Sequence, residues 1–106
     1  MFKEIAMYDM KNLTKIKKLG ELAPDAFKAF MAFDEAAFKV GVIPLKYKEL
    51  MAVAVALTTQ CPYCIEIHAK KARKEGATEE ELAETTLVAA ALRAGGAVTH
   101  GTHTLE

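Results

Sequence analysis

Prolines stand at positions 24, 44 and 62, and each opens a stretch whose apolar residues recur every three or four positions. Proline in the first turn of a helix costs little: its missing N–H is one the helix cannot satisfy anyway, and its φ is already helical. Gly20, Gly41 and Gly76 follow such stretches, where glycine suits a helix terminus. The pattern predicts helices throughout. A first helix carries Leu13, Ile16 and Leu19 and stops at Gly20. A second runs from Pro24 to about Val40, and a third from Pro44 to about Thr59. Val53 and Val55 in the third also permit a strand, but its length and its alanines favour helix. A fourth runs from Pro62 to a cap at Gly76. Thr78 and Glu81 form a capping box that starts a fifth at Glu79, running to about Ala94. Gly95-Gly96 then break the pattern before a short last helix holding His100 and His103. The expected fold class is all-α: about six helices in one domain over residues 1–106.

Composition narrows the function. Lys+Arg and Asp+Glu are both 14, so the formal net charge is zero and a nucleic-acid partner, which calls for a basic excess, is not expected. The longest apolar run, Leu50–Leu57, is less than half of a membrane span. Met1–Ala6 carries Glu4 ahead of any apolar stretch and has no signal-peptide core, so a cytoplasmic location is expected. The apolar share, 52%, is high for a chain this short, and part of it is expected to be buried between subunits.

The two cysteines, Cys61 and Cys64, are three residues apart. A disulfide there closes too short a loop to add much stability, so a redox or metal role is the expectation. At 100° per residue Cys61, Cys64 and His68 fall within about 60° of one another on the fourth helix. A helix N-terminus favours a thiolate, which makes Cys61, at the cap, the more acidic thiol by position. His68, one turn after Cys64, is placed to take or return a proton. Glu49 heads the most apolar helix in line with Val53, Ala56 and Gln60. A carboxylate on such a face needs a partner or a raised pKa. If the third and fourth helices form an antiparallel hairpin, Gln60 is the polar group nearer Cys61, with water bridging the remainder.

Read together, Glu49-x11-Cys61-Pro62-Tyr63-Cys64-x3-His68 resembles the alkylhydroperoxidase D-like (AhpD-like) branch of the carboxymuconolactone decarboxylase family. Lys46-Tyr47-Lys48-Glu49-Leu50 upstream and Lys70-Lys71-Ala72 and Gly76-Ala77-Thr78-x2-Glu81 downstream are similar too, so the likeness covers roughly residues 22–95. It implies a helical domain with a central antiparallel hairpin carrying the Cys-x-x-Cys, assembled as a trimer or a hexamer. It implies a thiol-dependent peroxidase or disulfide oxidoreductase without metal or organic cofactor. By that resemblance Cys64 attacks the O–O bond of a hydroperoxide and Cys61 resolves the sulfenic acid. Glu49 and His68 relay the proton, and a lipoyl- or thioredoxin-type dithiol reduces the pair again. One position departs: the peroxidase has histidine directly before its second cysteine, and Tyr63 stands there. Tyrosine is a poor base near neutral pH, which favours dithiol–disulfide cycling over peroxide turnover.

Other readings stay open. Cys61, Cys64, His68 and Glu49 are also a possible zinc set, although zinc sites normally gather ligands from separate segments. The pair could instead act as a redox sensor. Glu49 could be an exposed first-turn acid favoured by the helix dipole. Phe27, Phe30, Met31, Ala37 and Phe38 share one face of the second helix, read as core or subunit interface, with Asp34 in its middle. His100 and His103, spaced i, i+3, are read as surface residues, with a neighbouring subunit's site or a metal as the alternatives.

Overall fold

The computed structural model describes residues 8–106; the reading of Met1–Ala6 lies outside them. Among the described residues there are five α-helices and no strand: α1 (Ile16–Leu22), α2 (Pro24–Phe38), α3 (Leu45–Thr59), α4 (Pro62–Lys74) and α5 (Glu79–Gly101). Short 3-10 segments, Met10–Lys15 and Thr102–Thr104, precede α1 and follow α5. The all-α class is as the periodicity implies. The chain divides into two compact units, Met1–Leu45 and Lys46–Glu106.

In the first unit Asp9 caps the opening 3-10 turn by accepting the Lys11 N–H at 2.9 Å. α1 does not stop at Gly20 but continues to Leu22. Gly20 serves close approach instead: a Cβ there would lie 2.7 Å from Cδ1 of Phe27, whose ring packs over the glycine. The break is at Ala23, the one residue between the helices, and Pro24 opens α2. α2 ends at Phe38, two residues short of the expected limit, because Lys39 is extended. On its apolar face Phe27 and Phe38 are half-buried, but Phe30, Met31 and Asp34 are exposed. That face is therefore no core of this chain.

In the second unit α3 buries a single stripe, Glu49, Leu50, Val53 and Ala56, while Met51 and Val55 on its other sides stay exposed. Its near-continuous apolar run, Leu50–Leu57, is therefore not buried on most sides, since the unit has only two other α-helices to cover it. Ala72 of α4 and Ala89 of α5 complete the buried apolar set. Polar ties link the helix ends. Lys46 reaches Glu81 at 2.9 Å, which raises the Lys46 pKa and lowers that of Glu81. Arg73 donates from Nε and Nη2 to one oxygen of Glu79 at 3.1 and 3.0 Å. The Lys46–Glu81 pair is part-buried, while the Arg73–Glu79 pair is exposed and adds little to stability.

Thr78 and Glu81 form the predicted capping box, each accepting the other's backbone N–H. Gly95-Gly96 do not end α5, which runs unbroken to Gly101, so the expected sixth helix does not exist as a separate element. Glycine inside a helix costs about 1 kcal/mol relative to alanine, which weakens a helix but does not stop one as proline does. No described helix is long and apolar enough to cross a membrane.

Candidate functional site: a dithiol at a helix cap

α3 ends at Thr59 and α4 begins at Pro62, so two residues reverse the chain. Gln60 takes the left-handed conformation, φ 57°, and the Cys61 N–H closes back onto the carbonyl of Ala56 at 3.1 Å. This six-residue closure is the Schellman turn that ends many helices, normally with glycine at the left-handed position. A residue with a side chain costs roughly 1–2 kcal/mol there.

The turn delivers Cys61 as the N-cap of α4. Its backbone is extended, and its sulfur accepts the Cys64 N–H at 3.3 Å, where serine or aspartate oxygen usually serves. Both cysteines are free thiols, half-buried, with their sulfurs 2.6 Å apart, Cys61 donating to Cys64 in the neutral pair; once Cys61 ionises, the Cys64 thiol is the donor. The two are electrostatically unequal. The hydrogen bond from the Cys64 thiol, then that from the Cys64 N–H, lowers the Cys61 pKa. Donating that same proton, together with burial and the charge of a Cys61 thiolate, pushes Cys64 up to about 11. Cys61 is thus the sulfur that ionises first, as its position at the cap implied.

Glu49 is the one buried charged residue among those described, 3% exposed, so it is not a solvated first-turn acid. Its Oε1 lies 2.6 Å from Nδ1 of His68, joining α3 to α4. Their side chains are 4% and 20% exposed. Burying a carboxylate is costly unless it is paired, and a charge-assisted bond to imidazole offsets that cost. The carboxylate also fixes the ring, as a buried acid does for many catalytic histidines. Glu49 needs no relay through Gln60, which is exposed and makes no hydrogen bond among the described residues. The structure thus brings Cys61 to Cys64, and Glu49 to His68, one turn beyond Cys64.

The remaining candidates lie elsewhere. Tyr63 is half-buried, on the turn between the cysteines. His100 sits in the last turn of α5, bonded through Nδ1 to the Gly96 carbonyl at 3.1 Å, and its ring stacks 5.9 Å from that of His103. Both are exposed. Among the described residues no group of three or more His, Cys, Asp or Glu gathers as a metal site would, and Glu49 is turned to His68 rather than to the sulfurs. The feature that residue spacing did not reveal is the left-handed Gln60. Its one sequence signal is the two-residue gap between the end of an apolar helix and a helix-opening proline.

Comparison with known proteins identifies the family and the fold. The chain is 49% identical over 77 residues to "Uncharacterized protein 4 in cox locus" of Paracoccus denitrificans, covering 73% of this chain and 69% of that protein. An uncharacterized protein of Cupriavidus necator is 38% identical over 85 residues, 76% of this chain and 75% of its own. Among solved structures, an apo carboxymuconolactone decarboxylase family protein from Legionella pneumophila superposes with TM-score 0.73 at 33% identity. The match spans 86% of this chain and 81% of that one. A protein from Methanobacterium thermoautotrophicum gives 0.76 at 35% identity, over 81% and 97%. The carboxymuconolactone decarboxylase family model matches residues 24–106, which take in α2 to α5 and every residue of the dithiol site. The chain belongs to the carboxymuconolactone decarboxylase family.

Proposed function

We propose that this chain is an AhpD-like thiol oxidoreductase that cycles Cys61 and Cys64 between dithiol and disulfide. One observation carries the reading: at the head of α4 the Cys61 sulfur accepts the Cys64 N–H and lies 2.6 Å from the Cys64 sulfur. That arrangement favours one thiolate beside one reserve thiol. Against a disulfide RS–SR′, the Cys61 thiolate attacks one sulfur, forms Cys61–S–SR and expels R′S⁻. Cys64 then gives its proton to His68, attacks the Cys61 sulfur and expels RS⁻, which returns to the thiol. Two protein thiols are oxidised and one disulfide is reduced; an outside dithiol of lipoyl or thioredoxin type runs the exchange backwards. Thiol-based cycling of this kind suits a reducing, cytoplasmic compartment.

A second reading, hydroperoxide reduction, is favoured by the Glu49–His68 pair lying one turn after Cys64. A base there can ionise Cys64 despite its raised pKa. The thiolate attacks ROOH, the O–O bond breaks to give ROH and a sulfenic acid, and Cys61 condenses with it to release water.

Two free thiols per chain are expected in reduced protein, both lost on oxidation with one equivalent of oxidant. Dihydrolipoamide should then sustain turnover with a small disulfide, and the same assay with an organic hydroperoxide measures the second reading. Protein purified without chelator that carries one equivalent of zinc, lost in Cys64→Ser, would overturn both.

We also propose self-assembly as a homo-oligomer. α5 exposes Leu87, Val88, Leu92 and Val98, within an arc of about 140°, and α2 exposes Phe30, Met31 and Phe33. Apolar faces of this kind mark interfaces more often than solvent. Light scattering at micromolar concentration should give a multiple of the 11.6 kDa chain mass; a value near 11.6 kDa would contradict it.

A further inference from the structure

The second unit builds the same helix-ending turn twice. At the end of α4 the Ala77 N–H closes onto Ala72 at 2.9 Å, with Gly76 left-handed at φ 97°. At the end of α3 the Cys61 N–H closes onto Ala56 at 3.1 Å, with Gln60 left-handed at φ 57°. Glycine adopts this conformation without penalty, and asparagine or aspartate tolerates it by bonding its own backbone. Gln60 has neither excuse: its side chain is exposed and makes no hydrogen bond among the described residues. Left-handed residues with side chains concentrate where function holds them. The cost falls on the residue immediately before the more acidic sulfur.

The exposed carboxamide of the residue that directly precedes a nucleophilic cysteine offers two N–H donors and one carbonyl acceptor. That is the complement of a peptide group, and it carries no charge to select an ionic substrate. From this placement we infer that Gln60 determines specificity: its carboxamide hydrogen-bonds the peptide backbone flanking the disulfide of a polypeptide substrate as Cys61 attacks. The inference rests on the dithiol–disulfide reading above and names its substrate class.

The test compares two disulfides in single turnover with reduced full-length protein. One is N,N′-diacetylcystine bis(methylamide), which has a peptide group on either side of each half-cystine. The other is bis(2-hydroxyethyl) disulfide, which has none. The wild type should react faster with the peptide disulfide. In Gln60→Gly that rate should fall about tenfold, as expected for one lost hydrogen bond, while the hydroxyethyl rate stays within about twofold. Gln60→Asn, which keeps the carboxamide and tolerates the turn, should recover most of the loss. The pH profile of Cys61 alkylation should be the same in all three proteins, and thermal midpoints should not fall in Gln60→Gly. An equal loss on both disulfides, or a shifted alkylation profile, would show that Gln60 acts through the turn and overturn the inference. No loss on either would do the same. A wild type that reacts with neither disulfide overturns the oxidoreductase reading itself, an outcome distinct from any of these.

Discussion

Cys61→Ser is expected to lose turnover with disulfides by at least about 10³-fold, because the attacking atom is gone and a serine hydroxyl does not ionise near neutral pH. Cys64→Ser should fail differently. It forms the mixed disulfide at Cys61 and stops there, so one equivalent of substrate is captured and mass spectrometry finds it attached to the protein. The pH dependence carries the same asymmetry. Thiolates, not thiols, react with iodoacetamide, so Cys61, with its pKa lowered by the Cys64 thiol and N–H, should alkylate with a midpoint below the usual cysteine value. Cys64, pushed up to about 11, should stay nearly inert until strongly alkaline pH. The shifts share one proton, so each variant moves the survivor in a fixed direction. Cys64→Ala removes the thiol donor, and the Cys61 midpoint should rise. Cys61→Ala removes both the acceptor and the neighbouring thiolate, and the Cys64 midpoint should fall. Mapped alkylation across pH checks both; equal midpoints for the two cysteines of the wild type would remove the basis for placing first attack on Cys61.

That asymmetry was legible before any coordinates, and so was most of the site. Pro62 directly after Cys61 marks the head of a helix, and the spacing to Cys64 and His68 places all three on one side of it. Glu49 stood out as a carboxylate in line with Val53 and Ala56, and burial is what the structure gives it. Its bond to His68 was not legible, because two residues nineteen apart meet only through the angle at which α3 and α4 pack. The left-handed state of Gln60 was hidden for a different reason: glutamine carries no turn signal. Glycines misled in both units. Gly20 is there because Phe27 comes within reach of a missing Cβ, and Gly95 and Gly96 sit inside α5 with open space beside them. A glycine that ends a helix and one that permits a close approach look alike in one chain. The exposed Phe30 and Leu92 show the remaining limit, since an apolar face its own chain leaves open has the same periodicity as one it covers.

Glu49 gives the largest expected effect on stability. Glu49→Ala removes one member of a buried pair, which costs about 3–5 kcal/mol when both partners are fully buried. The low end applies here because His68 keeps 20% of its side-chain exposure. Small domains have only about 5–15 kcal/mol in total, so the thermal midpoint should drop by many degrees. Glu49→Gln separates folding from chemistry. The amide fills the same space and can still accept from Nδ1, but it no longer stabilises an imidazolium. Its stability cost should therefore be the smaller of the two. The step that needs a base should slow by about 10²-fold, at the lower end of what general acid–base groups contribute. That step is the closure of Cys64 onto the Cys61 mixed disulfide, which requires the Cys64 proton to leave a thiol of pKa about 11. Attack by Cys61 requires no such base, because its pKa is already lowered. Stopped-flow on Glu49→Gln should accordingly show first attack at the wild-type rate and slow release of the second thiol. If both phases keep their rates in a folded Glu49→Gln protein, the Glu49–His68 pair serves only to hold α4 to α3, and the proton must leave Cys64 by another route.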